Sequence, residues 1–346
     1  MIVFNSASAG IAGNALILSP SDTGDNTVYR ATFAPGQTEL LIDLVTLDDF
    51  IIEDDETATL TVDSVIDGDP NITAGGSSDI TIEDTDVGEL KLIVLDGVAQ
   101  EDSTNEASYV LRLVDQDDNS QRLASDTVTT VTFGVTGGSA DLGDDFDFGS
   151  LTTTIDIPAF SGIDPDFSLG EDAEAVIPVI ALPDNIVELT ETVEVTASGV
   201  SGDTDVVLHN MPSMRTGVVS ILDDDSATVS ISSDAADGAD PDAAETDPEG
   251  QNDGAFVVLL SEVSSTPTTV RYEIDLSNTD AFYDADFTLA GQAGPFLFGE
   301  VTIPAGQTSA LIPLDVIDNL TQEDTENVTV KPVSYTHLTL PTIYSV

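Results

Sequence analysis

The chain has 346 residues, with 7 Lys+Arg against 65 Asp+Glu and a formal net charge of -58, so it has too few cations to grip a phosphate backbone or an anionic membrane surface. It has no cysteine, which removes disulfides, thiolate metal sites and cysteine nucleophiles, and its two histidines, His209 and His337, fit no zinc or catalytic-triad spacing. At 40% hydrophobic residues it can still bury packed cores, its length suits roughly two or three domains, and no apolar run approaches the roughly 18 residues of a membrane span.

The first twenty residues lack a basic start, make a poor signal peptide, and read as opening partway through a repeat unit. The segment FAPGQTELLIDLVTLDDFIIEDDETATLTV (33–62) then gives a Gly36-Gln37-Thr38 turn and an acidic knot of Asp48, Asp49, Glu53, Asp54, Asp55 and Glu56. A strand follows, with Ala58, Leu60 and Val62 on one face. DITIEDTDVGELKLIV (79–94) is strand, acids, strand, with Asp84 and Asp86 at the joint. An alternating strand at 127–135 leads into the loop GGSADLGDDFDF (137–148), which sets Asp145 before Phe146. EAVIPVIALPDNIVELTETVEV (173–195) carries Asp184, Glu188 and Glu191. VVSILDDDSATVSISS (218–233) repeats the strand–acid–strand joint with Asp223, Asp224 and Asp225, and His209 before it reads as a loop or strand-end residue. The acidic stretch 232–254, including Asp240, Asp242 and Glu245, reads as a flexible loop of solvated charge in which Glu249 is the one ligand candidate. A strand at 268–274 precedes a second Asp-Phe loop, Asp286-Phe287, and in 303–332 the residues Ile312, Leu314 and Val316 share a face.

These segments are copies of one another. Residues 33–62 align without a gap on 303–332 at an offset of 270, which carries Asp48 to Asp318, Glu53 to Glu323 and Glu56 to Glu326. Glu56, Glu191 and Glu326 are spaced by 135 and 135, and Asp84 and Asp86 stand as Asp223 and Asp225 do. With Val, Ile, Thr and Leu runs punctuated by Gly, Asp, Asn and Pro, and no helical apolar stripe, the chain is expected to be all-β. The expected units are antiparallel β-sandwiches in tandem: 1–86 without its front, 87–225 complete, and 226–332 without its end.

In order and spacing these motifs resemble the Calx-beta family, the immunoglobulin-like β-sandwich repeats of sodium–calcium exchangers, integrin β4 and large bacterial surface proteins. Gly138-Ser139-Ala140…Gly143-Asp144-Asp145-Phe146 resembles the family's Asp-containing loop, Asp184, Glu188 and Glu191 its middle element, and Asp223-Asp224-Asp225 its end motif. Glu101 stands for its early glutamate. The resemblance implies calcium ligands among Glu101, Asp145, Asp184, Glu188, Glu191 and Asp223–Asp225 in the central unit. It implies Asp48, Asp49, Glu53, Glu56, Asp84 and Asp86 in the first unit, and Glu249, Asp286, Asp318, Glu323 and Glu326 in the third. The copies differ: Pro183 stands where the other units have Asp48 and Asp318, Asn319 replaces Asp49, and the third Asp-Phe loop has lost its glycines.

Calcium takes six to eight oxygen ligands, largely carboxylates and carbonyls, and a sandwich supplies them by gathering loops at one end of its sheets. Two carboxylates about 5 Å apart repel by roughly 3 kcal/mol at an effective dielectric near 20, so a cluster opposes folding until a divalent cation sits in it. The reading is therefore a non-enzymatic, calcium-binding segment of a large extracellular or cell-surface bacterial protein. It would act as a calcium-stiffened stalk or an adhesion module, with calcium ions, neighbouring repeats and a surface or matrix ligand as partners. The alternatives are a calcium-independent acidic spacer and, remotely, a carboxylate glycosidase. Residues 333–346, VSYTHLTLPTIYSV, contain no acid and resemble translated sequencing adapter, so they are expected to be a non-native tail.

Overall fold

A computed structural model describes residues 10–12, 15–18, 32–44, 50–62, 64–160, 174–244, 253–291, 297–318 and 324–333. Asp48, Asp49, Glu249, Glu323 and the tail from 334 lie outside these described residues. Among them the chain is all-β, without an α-helix and with two single-turn 3-10 segments, Pro212–Met214 and Ala235–Asp237. No described helix is long and apolar enough to cross a membrane.

The first part contributes β1 (Gly10–Ala12), β2 (Ala15–Leu18), β3 (Leu41–Leu44), β4 (Ile51–Ile52), β5 (Glu56–Thr61) and β6 (Ser77–Ile82). β1, β2 and β3 form one small sheet, and β5 and β6 an antiparallel pair. The central part contributes β7 (Gly88–Asp96), β8 (Val98–Gln100), β9 (Ala107–Asp115), β10 (Arg122–Ser125), β11 (Thr129–Gly138), β12 (Phe146–Asp147), β13 (Thr154–Ile157), β14 (Glu174–Ala181), β15 (Ile186–Val187), β16 (Glu191–Ser201), β17 (Val206–Leu208) and β18 (Thr216–Leu222). The third contributes β19 (Val229–Ser232), β20 (Gly254–Leu260), β21 (Val263–Ser264), β22 (Thr268–Ile274), β23 (Phe287–Leu289), β24 (Phe298–Ile303), β25 (Ser309–Val316) and β26 (Val330–Pro332).

The central part is a two-sheet sandwich. One sheet runs β12-β14-β9-β10-β4 with β7 and β17 on the other side of β9, and the second runs β13-β11-β16-β18-β8. Alternation sends Leu90, Leu92, Tyr109, Leu111, Leu113 and Ile177 from the first sheet against Val131, Phe133, Val193, Val195, Val219 and Ile221 from the second, all buried in one cluster. Tyr109 crosses the gap, and its hydroxyl donates to the Val193 carbonyl at 2.8 Å, so the ring is buried with its polar end satisfied. The third part repeats the plan with sheets β19-β20-β25-β23 and β24-β22-β26 around Val258, Tyr272, Phe287, Ile303 and Ile312. The face expected for Ile312, Leu314 and Val316 is the buried face of β25.

Successive parts meet through strands. β4 lies parallel to β10, pairing Ile51 with Ala124 and Ile52 with Ser125, and β15 lies parallel to β21, pairing Ile186 with Val263 and Val187 with Ser264. Each docking strand sits inside an acid-bearing loop, so the acids are delivered to the junctions between units.

Candidate metal centre

Two loops and two strand ends converge at one end of the central sandwich. The first loop leaves β11 at Gly138, whose φ of 112° and close approach to the Thr192 carbonyl exclude any side chain there. Thr192 then anchors the turn: its carbonyl accepts from Ser139 N at 2.9 Å and Ala140 N at 3.1 Å, and its N–H donates to Ser139 Oγ at 3.0 Å. The far side is pinned by Phe146, which is fully buried and meets Phe148 edge-on at 5.4 Å. Asp145, just before it, is held partly buried at the rim, and its carbonyl accepts from Leu182 N at 2.9 Å.

The second loop joins β14 to β16. Asp184 caps its turn by accepting from Ile186 N at 2.6 Å, and Glu188 and Glu191 follow on either side of exposed Leu189 and Thr190. The third element is the end of β18. Asp223 accepts from Glu188 N at 3.1 Å and from Asp225 N at 3.2 Å, tying the second loop to the terminal acids. Glu101 arrives from β8, which runs parallel to β18, and its N–H donates to the Leu222 carbonyl at 3.1 Å.

Two groups of carboxylates result. Glu101, Asp184 and Asp225 form one, and Asp145, Glu188 and Glu191 the other; within each, one oxygen per residue lies within 4.8 Å of the others. Glu101 is only 4% exposed, and burial, then the charges of Asp184, Asp223, Glu188 and Asp225, push its carboxyl up to about 7. Burial and Asp145 push Glu191 up to about 7 as well, and Glu188 and Asp225 are raised by burial first and neighbouring carboxylates second. Without a cation, Glu101 and Glu191 hold protons toward neutral pH. All donors are oxygen, with neither histidine nor cysteine in either group, which is the donor set of a hard divalent ion such as calcium. Asp224 is exposed and belongs to neither group.

The first unit shows the same scaffold. Asp84 accepts from Glu53 N at 2.9 Å and from Asp86 N at 3.2 Å, matching the two bonds of Asp223, while Glu56 is exposed at the start of β5. In the third, Asp286 is 8% exposed and accepts from Phe282 N at 2.6 Å. Asp286 and Glu326 line a cavity of about 670 Å³ with Asp240 and Asp324, and Asp318 is exposed at the end of β25.

Four of these acids were not singled out in the sequence. Asp102 adds to the charge that raises Asp225, Asp141 to that which raises Glu191, and Asp240 and Asp324 share the cavity of Asp286. A signal for Asp240 existed: the spacing of 139 that carries Asp84 to Asp223 also carries Glu101 to Asp240. Ser265, beyond β21, also reaches the centre, and its hydrogen bond to the Glu188 side chain favours the ionised form.

No protein-family profile matches the chain, and no curated protein does. Among solved structures, CBD12 from CALX1.2 is 16% identical over 65% of this chain and 74% of its own, with a TM-score of 0.27. The apo-form Calx CBD1 domain is 18% identical over 40% of this chain and 99% of its own, at 0.26. CBD12 of CALX1.1, described as a calcium binding domain, is 16% identical over 71% and 83%, at 0.27. With superpositions this weak, the two-sheet architecture of this chain rests on the strand pairing and burial above.

Proposed function

We propose that the chain is a non-enzymatic, calcium-binding segment of tandem β-sandwiches, in which calcium occupies the acid end of the central unit and fixes it against its neighbours. The observation that carries this reading is the pair of three-carboxylate groups, drawn from four separate stretches of chain, one of them holding the buried Glu101. Scattered solvated acids have no reason to converge, and a buried carboxyl held near neutrality marks a site where charge is concentrated for use. Two groups provide at least two cation positions, with Glu188 adding its field to Glu101 across the pair. The Calx-beta resemblance of the motifs agrees with this chemistry and adds an extracellular or cell-surface setting, where such a segment serves as a stalk or adhesion module.

The test is calorimetry of the whole chain in calcium, magnesium or chelator at one high ionic strength. At a hundredfold excess over the dissociation constant, calcium should add about 2.7 kcal/mol to the central unit, and magnesium much less. Equal shifts with both ions would mean general screening, and the chain would be an acidic spacer.

A further inference from the structure

The two inter-unit joints follow one plan and are filled differently. In the first, Phe50 O accepts from Ala124 N and Ile52 O from Asp126 N, both at 3.1 Å; in the second, Val187 O accepts from Ser265 N at 3.1 Å. Ile52 has no exposed surface and lies within the central unit's core cluster, with Phe50 packed against that cluster. The space it fills is created at Gly88, where an added Cβ would stand 2.6 Å from Ile52 Cδ1. Val206 and Leu113 wall the same socket, at 3.6 Å and 3.8 Å from that position.

The repeat spacings carry Gly88 to Ala227, Ile52 to Val187 and Phe50 to Asn185. The second joint therefore has one methyl more in its socket, one fewer on its plug, and no aromatic beside it. Accordingly Val187 is only half-buried and stands outside the third unit's core cluster, which Ala227 borders.

We propose that Phe50–Ile52 is a docking strand that completes the sheet and the core of the unit after it, and that the Gly88 socket is its receptor. The first two units then open as one cooperative body, whereas the second joint is a shallow contact that opens by itself. The Gly88/Ile52 and Ala227/Val187 pairs also set which unit can follow which. Such a contact is head-to-tail, so it extends an array rather than closing a dimer. It rests on backbone pairing and apolar packing, so it stands whether or not the carboxylates bind calcium.

The test is native-state hydrogen exchange of the whole chain in chelator, read by mass spectrometry over individual strands. Ile52→Ala should speed exchange in β9 and β10 by about thirtyfold or more, while Val187→Ala should change β20 and β22 by less than about threefold. Gly88→Ala should speed exchange about tenfold, and Gly88→Ala combined with Ile52→Val, which recreates the second joint's pair, should bring it back to that of Ile52→Val alone. That milder pair decides the matter should Ile52→Ala fail to fold. Equal sensitivity at both joints, or independent effects of Gly88→Ala and Ile52→Val, would overturn the proposal.

Discussion

Asp223 accepts the backbone N–H of Glu188 at 3.1 Å, so a terminal acid of the central unit holds the loop that carries its middle acids. Its other oxygen takes Asp225 N at 3.2 Å, and Asp84 makes both bonds in the first unit, to Glu53 and Asp86. One carboxylate thus shapes the loops that present the others, which makes the three consecutive aspartates unequal. Asp223→Ala should abolish the calcium-dependent rise in melting temperature and cost about 2–4 kcal/mol in saturating calcium, since two charge-assisted hydrogen bonds go with it. Asp224→Ala, at an exposed position outside both groups, should keep most of that rise. Calorimetry of the two variants decides; equal losses would refute this division of labour.

Glu101→Gln separates charge from shape. The amide keeps the volume of a side chain that is 4% exposed and removes the charge that four neighbouring carboxylates oppose. In chelator at pH 8 the variant should melt higher than the parent, because repulsion and desolvation both fall. In calcium it should melt lower than the parent, having lost an anionic ligand. A variant that melts lower in both conditions would make Glu101 a purely structural residue.

The same raised carboxyls fix the sign of the pH dependence. Glu101 and Glu191 titrate near 7 in the folded chain and near 4.5 when exposed, so between those values the folded state binds more protons. Stability then falls as pH rises, since its slope follows protons bound unfolded minus protons bound folded. The contribution is fully present below about 4.5 and gone above about 7. In chelator the central unit should lose stability from about pH 5 to about pH 7 and level off above that, and saturating calcium should flatten or reverse that slope. Denaturant melts across this range measure it, and a slope unchanged by calcium would count against ion binding at these carboxyls.

The strands and the acid positions were legible because both recur. Alternation in ALIPLDV is the buried face of β25, and the spacings of 135 and 139 expose the acids to comparison between units. The joints were not legible. A two-residue strand such as Ile51–Ile52 has no period to read, and nothing near it in sequence says that Ile52 is buried in the following unit rather than its own. Asp240 was hidden by its surroundings, a run of acids in which the one exposed carboxylate that borders the cavity looks like the rest. His209 gave no local sign of burial, since Glu89 and Asn119, which meet it, come from distant stretches of chain.

That histidine closes the edge where β17 lies parallel to β7. His209 is 1% exposed and Glu89 3%, with Nε2 3.1 Å from a Glu89 oxygen and 2.9 Å from Asn119 Oδ1. Because Nδ1 accepts from Met211 N at 3.1 Å, the network assigns the ring proton to Nε2, where the two oxygens share it. The pair is thus a buried carboxylate satisfied by a neutral imidazole. His209→Ala should cost about 3–5 kcal/mol, mainly by leaving the Glu89 charge buried without its donor. Adding Glu89→Gln removes that charge and should recover at least half of the loss, although the cavity left by the ring remains. Denaturant unfolding of the parent, the single and the double variants measures the coupling. If the double variant is no more stable than His209→Ala alone, the ring contributes by filling space and the charge on Glu89 is satisfied by other means.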